Sequence, residues 1–266
     1  MSVRPAAVAG LFYPGDARQL NTFISTILSD ATARLPEALP IPKAIIVPHA
    51  GYVYSGPTAG FSYAALKGGM INRVVVLGPA HRVPFYGMAL PGHDKFSTPL
   101  GDIRIDAEGM QNLMTLPEVQ VNDAAHAQEH SIEVQLPFLQ TVLGDFSLLP
   151  ICIGSVQPDA VARVIEELWD GSTLFVVSSD LSHYHSYDEA GVLDRQSIDT
   201  ALEMRDELNH EQACGATGIN ALTEIARRHG LTAQLLDYRN SGDTAGDRDR
   251  VVGYASIAFY GQGERI

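Results

Sequence analysis

Apolar positions fall into two rhythms along this chain. Continuous apolar runs at Ala44 to Val47, Val74 to Leu77, Ser147 to Ile153 and Thr173 to Val177 have the length and β-branched content of strands buried on both faces. Between them the spacing turns helical. Leu20, Phe23, Ile24, Ile27 and Leu28 line one side of a helix opened by Asp16, and Val161, Val164, Ile165 and Leu168 line one side of a helix from Pro158 to Trp169. The same reading predicts helices over Thr58 to Leu66, Ala107 to Thr115 and Asp188 to Met204, and one after Cys214 on which Ile219, Leu222, Ile225 and Ala226 share a face. Ser131 has the chemistry of an N-cap, and Pro137 is expected to bend or interrupt the helix that follows it.

The remaining segments read as connections and edges. Met1 to Pro14 forms an irregular arm that packs through Val8, Leu11, Phe12 and Tyr13, and Gly51 to Gly56 is loop. Val83 to Leu90 reads as a short strand, and Phe96 to Ile105 as two extended pieces around the turn at Thr98-Pro99-Leu100-Gly101-Asp102. Strands at Thr232 to Tyr238 and Val251 to Tyr260 flank a polar loop and close the chain. Strands alternating with helices predict one α/β domain over residues 1–266, with a central, mainly parallel or mixed sheet covered by helices on both faces.

Composition narrows the partners. A formal net charge of -13 and the lack of a Lys/Arg cluster argue against a nucleic-acid backbone as ligand. No apolar run reaches the roughly 18 residues of a membrane span. With two cysteines and no charged segment leading into an apolar one at its start, the chain is expected to be cytoplasmic and free of disulfides.

The candidate chemistry sits just past the apolar runs. His49 follows the first, His81 follows Val74 to Leu77, and Asp180 and His183 follow Thr173 to Val177, where an open α/β sheet gathers ligands. Cys214 lies where a helix begins, a position that favours the thiolate, whereas Cys152 lies inside an apolar strand and serves as a small hydrophobe. Two imidazoles and a thiolate can hold Zn, Cu or Fe with a position left for water or substrate. Asp180 and His183 share a face if their segment is one helical turn, so that the carboxylate orients an acid–base imidazole; alternatively Ser179 or Asp180 only caps a helix. Glu129 and His130 point either to the cleft, as partners of a metal-bound His, or to solvent. Tyr52 and Tyr54 are expected to line the cleft, and His126, His185, His210 and His229 to lie at the surface.

At these residues the sequence resembles the Memo family, whose bacterial and archaeal members are also called AmmeMemoRadiSam system protein B. The matching stretches run in order through the chain: Ala9-Gly10-Leu11-Phe12-Tyr13-Pro14, Pro48-His49-Ala50-Gly51-Tyr52, Leu77-Gly78-Pro79-Ala80-His81, Thr98-Pro99-Leu100-Gly101, Glu129-His130-Ser131-Ile132-Glu133, Ser178-Ser179-Asp180-Leu181-Ser182-His183, Cys214-Gly215 and Asn240-Ser241-Gly242-Asp243. The resemblance implies the fold of class III extradiol ring-cleaving dioxygenases, and a metal at His49, His81 and Cys214 with Asp180 and His183 beside it. Those enzymes use a carboxylate where this chain has a thiol, which turns the expected metal from iron alone toward copper or zinc as well. The expected activity is that of a redox enzyme acting on a small molecule, with Tyr52, Tyr54, Glu129 and His130 toward the substrate. The resemblance also implies association with a radical-SAM partner. A second reading makes the cleft a binding site for a peptide or partner protein, for which Arg82, Arg239, Arg248 and Arg250 are the cations at hand.

Overall fold

A computed structural model describes residues 2–37 and 39–261. The first half of the chain forms β1 (Val3–Arg4), α1 (Ala17–Thr32), β2 (Ala44–Val47), α2 (Tyr52–Ala64), β3 (Arg73–Pro79), β4 (Met88–Leu90), β5 (Lys95–Thr98), β6 (Gly101–Arg104), α3 (Ala107–Leu113), β7 (Val119–Val121) and α4 (Asp123–Ala127). A 3-10 turn at Glu133–Gln135 leads into α5 (Leu136–Leu143), β8 (Ser147–Ile153), α6 (Pro158–Glu167), β9 (Thr173–Ser178), β10 (His183–His185), α7 (Tyr187–Leu202), α8 (Ala216–Arg228), β11 (Thr232–Asn240) and β12 (Val251–Tyr260).

A mixed nine-stranded sheet carries the structure, in the order β10-β12-β2-β9-β3-β8-β4-β7 with β11 on the outer side of β12. Its centre, β2, β9, β3 and β8, is parallel, and β12 and β4 run antiparallel against it on either side. Because successive side chains point to opposite faces, each central strand feeds two cores. Ile45, Val47, Val74 and Val76 meet Leu20, Ile24 and Ile27 of α1, Ala59 and Tyr63 of α2 and Leu136 and Phe138 of α5. Ala44, Ile46, Val75 and Leu77 meet Val161, Val164 and Ile165 of α6 and Ile219, Leu222 and Ile225 of α8. Helices cover both faces, and the continuous apolar strands follow from that. At Gly60 a Cβ would lie 2.4 Å from Ile27 Cγ2, so α1 and α2 close against each other only over a glycine. A smaller sheet, β1-β5-β6, flanks the main one, and among the described residues no helix is long and apolar enough to cross a membrane.

Five local readings change. The helix expected from Thr58 begins at Tyr52, so residues 52–56 are its first turns rather than loop. Ser131 caps nothing: it is buried, its hydroxyl donates to the Pro79 carbonyl at 2.9 Å, and Pro137 opens α5 from its first turn instead of bending it. The Asp180–His183 segment is not a helical turn, since His183 starts a strand paired with β12. In the arm, Val8 and Tyr13 are buried as expected, but Leu11 is 81% exposed.

Candidate metal centre

The parallel strands end on one side of the sheet. His49, His81 and Asp180 are each the second residue past the end of β2, β3 and β9, and these three strands are neighbours. Cys214 arrives from the other direction, two residues before α8, and its amide donates to the Asp180 carbonyl at 3.2 Å. One nitrogen of His49, one of His81 and Cys214 Sγ lie within 4.8 Å of one another, and Cys214 Sγ is 3.3 Å from His49 Nε2.

Neighbouring groups decide which nitrogens are free. His49 is buried, and its Nδ1 lies 2.9 Å from Ser178 Oγ. Ser178 Oγ spends its own proton on the Ser131 carbonyl at 2.6 Å and also receives Gln135 Nε2 at 2.8 Å. Gln135 is oriented in turn, because its amide also donates to the Pro48 carbonyl at 3.0 Å while Tyr63 donates to its Oε1 at 2.7 Å. Ser178 Oγ can therefore only accept from His49, whose Nδ1 carries the hydrogen and whose Nε2 lone pair faces Cys214. His81 is set the same way by a carboxylate. Its Nδ1 lies 2.9 Å from Glu129 Oε1 and its amide donates to Glu129 Oε2 at 2.6 Å, which leaves its Nε2 bare. Two imidazoles with unprotonated Nε2 beside a thiol form a donor set that fits Fe, Cu or Zn.

Burial and neighbouring groups set which of these side chains stay neutral. Burial, and then the neighbouring His81, hold His49 down at about 3, so the ring stays neutral and able to ligate. Burial opposes the charge on Glu129, but the His81 ring and the amides of His81 and Ser131 overcome it and hold the carboxylate at about 2. Cys214 departs from the expectation of a lowered thiol. It stands just outside α8, and burial with the nearby Asp180 carboxylate pushes it up to about 12, so a bound metal must displace its proton.

The other predicted residues divide. Asp180 is buried and its Oδ1 accepts the His49 amide at 2.8 Å, so it fixes the turn after β2, and burial pushes its carboxyl up. His183 is half-buried on β10, with its ring edge-on to Tyr184 at 5.8 Å. His130 sits beside both candidate ligand rings, 4.6 Å from His81 and 5.4 Å from His49, and its Nδ1 lies 3.3 Å from Glu129 Oε1 without forming a hydrogen bond. Tyr54 is 38% exposed on the first turn of α2. Tyr52 points away from the cleft. Because the helix already begins there, its ring enters the core beside Tyr13 and Phe138 and its hydroxyl donates to the Val134 carbonyl at 2.6 Å.

One histidine expected at the surface is internal: His126 is buried with Nε2 2.9 Å from the Ala89 carbonyl. His210 is exposed as expected, with its Nδ1 3.2 Å from the Cys214 carbonyl. His210 also borders a cleft of about 370 Å³ shared with His81, Cys214, Phe85 and Ser155.

Residues 4–258 match the profile of the family described as "Memo-like protein". The chain belongs to the Memo family. Relatives named "MEMO1 family protein" include one from Ignicoccus hospitalis, 36% identical over 97% of this chain and 99% of its own length, and one from Aquifex aeolicus, 36% identical over 97% and 100%. A third, from Methanosarcina mazei, is 37% identical over 97% and 99%. For a Memo-family chain, the residues that the sequence left unnoticed are the ones that orient ligands: Ser178 and Gln135. Their signal was a polar side chain inside an apolar run, Val176-Val177-Ser178 and Val134-Gln135-Leu136.

Proposed function

We propose that this chain is a metal-dependent redox enzyme in which His49, His81 and Cys214 hold a single iron or copper ion, with zinc as the redox-silent alternative. The observation that carries the reading is the convergence of two Nε2 lone pairs, each fixed by a hydrogen bond at the far side of its ring, on one thiol. When bound, such a metal supplies one-electron chemistry and an electrophilic centre for a small phenol or similar oxygen donor. Asp180 keeps the buried His49 and its turn in place, while His81 and Cys214 open on the cleft, where a small molecule can reach them. His183 is the group that exchanges a proton with the bound molecule, and His130, whose ring lies beside those of His49 and His81, packs against that molecule. A purely peptide-binding cleft is less favoured by the cations, since Arg239 is taken by Asp237 at 3.0 Å.

Metal analysis of protein purified without chelator tests the assignment. Wild type is expected to carry about one equivalent of Fe, Cu or Zn, and His49→Ala and Cys214→Ala to lose it, with metal-dependent oxygen uptake on phenols lost in His183→Ala. Equal metal content in wild type and both ligand variants would remove the metal from the reading.

A further inference from the structure

We propose that Tyr184 is a positioning residue whose left-handed backbone, set as a bulge in β10, turns His183 toward the metal cleft and His185 away from it. This rests on the reading of His183 as the proton-exchanging group and adds what aims it.

Tyr184 has φ +64°, and among the described residues only Met204 is another non-glycine with positive φ. For a bulky side chain that conformation is strained and does not persist without a surrounding constraint. The constraint is visible on both flanks. Leu181 donates to the Gly253 carbonyl at 2.8 Å, and Gly253 donates back to Ser182 at 3.0 Å. The Ser182 amide also donates to the buried Asp194 carboxylate at 2.9 Å, and a Cβ on Gly253 would lie 2.0 Å from Asp194 Oδ2, so only glycine admits that acid. On the far side Ser186 forms the capping box of α7 with Glu189. Three residues must bridge two fixed points.

The pairing shows what the bulge does. His183 stands opposite Val252 and His185 opposite Val251. Adjacent residues of β12 face opposite sides, and cross-strand partners share a side, so His183 and His185 face apart, although two residues two positions apart on a regular strand would face together. The inserted residue is Tyr184. A Cβ on Gly253 would meet Asp194 of α7, so Val251, two positions away, and His185 opposite it share the side of α7. Val252 and His183 take the other side, the one that the reading of His183 as the proton-exchanging group makes the cleft side. Core packing does not account for the tyrosine, whose ring is 63% exposed between the Arg250 guanidinium, 5.0 Å from its centroid, and the His183 ring. The backbone conformation, then, is what the position needs.

Four variants of the full chain separate backbone from side chain: Tyr184→Phe, Tyr184→Gly, Tyr184→Asn and Tyr184→Val. Nuclear Overhauser contacts in metal-free protein read the bulge directly, as His183 ring to Val252 and His185 ring to Val251. Cobalt(II) uptake and the relaxation it imposes on the His183 ring read the distance to the metal. Wild type, Phe, Gly and Asn are expected to keep both contacts and the cobalt effect, because Gly and Asn accept positive φ; Val, which resists it, is expected to lose the His183–Val252 contact and at least ~5-fold of the relaxation with cobalt uptake unchanged. If Val keeps the wild-type pattern, or if Gly and Asn lose it, the backbone role is overturned. Cobalt uptake absent from every protein, with the contact pattern as expected, would instead overturn the metal reading and leave the bulge standing.

Discussion

Glu129 and Glu133 are four residues apart, both are almost fully buried, and each carboxylate gathers four hydrogen-bond donors. What differs is where the donors come from. Glu129 receives the ring and amide of His81 and the amides of His130 and Ser131, so its charge is spent on one candidate metal ligand and the turn that supports it. Glu133 receives the Arg4 guanidinium, the Ala7 and Val8 amides at 2.8 and 2.9 Å and the Tyr13 hydroxyl at 2.7 Å, all from the N-terminal arm. One acid orients a candidate ligand and the other fastens a strap. The pair teaches that a buried carboxylate takes its role from the element that supplies its donors, not from its own burial or from its place in a motif.

The largest expected effect breaks the strap. Glu133→Ala leaves the Arg4 guanidinium, which is 2% exposed, without its counter-charge, and removing one partner of a buried ion pair costs about 3–5 kcal/mol. Urea unfolding measures this. Metal content per folded molecule is expected to stay at the wild-type level, and a loss below about 1 kcal/mol would mean that Arg4 finds another partner.

A second test separates the two regions by acid. The Arg4 side chain also donates to the carbonyl of His126, so that histidine belongs to the strap, and burial holds its ring down at about 4. The unfolded chain takes up a proton there near 6.5 and the folded chain does not until about 4. The group's contribution is therefore whole above pH 6.5 and is lost as the pH falls toward 4. A shift of this size corresponds to on the order of 3 kcal/mol, and His126→Gln is expected to flatten that part of the stability profile by a similar amount in metal-free and metal-loaded protein alike. His49 and His130, whose pKa values are also lowered, lie beside the candidate metal, so their share of the acid slope should change when metal is added.

The central strands were legible because burial on both faces leaves an uninterrupted apolar run, and His49, His81 and Asp180 were legible because each follows such a run. Directions and protonation were not. Tyr52 turned inward because α2 starts one residue after Gly51, a boundary that glycine and aromatic residues do not announce. His126 is internal because of a carbonyl on Ala89, and the tautomer of His49 depends on Ser178 and Gln135, both distant in sequence. Cys214 was expected to ionise easily, but its place two residues before the helix and its burial beside Asp180 reverse the sign. Nothing in the row Glu129-His130-Ser131-Ile132-Glu133 tells which acid meets the histidine, since the donors that distinguish the two acids come from β1, the arm and the turn after β3.

The smallest expected effect is the sharpest test of the comparison. Glu129→Gln preserves the shape of the side chain but replaces one acceptor oxygen with an NH2 group, while all four of its donors remain. If the amide nitrogen takes the Oε2 position it faces the His81 amide hydrogen, and if it takes the Oε1 position it faces the His81 ring and two further amides. In the second arrangement His81 is stable only with its hydrogen on Nε2, which occupies the lone pair a metal needs. Either outcome weakens the ligand, and loss of such a partner typically costs 10–100-fold in metal affinity, about 1.4–2.7 kcal/mol. Competition against a chelator with Zn measures it, and Glu133→Gln in parallel is expected to bind within about twofold of wild type, because its donors touch no ligand ring. Equal losses in both variants would show that the two acids share one structural role, whereas a loss confined to Glu129→Gln assigns the tuning of His81 to that carboxylate alone.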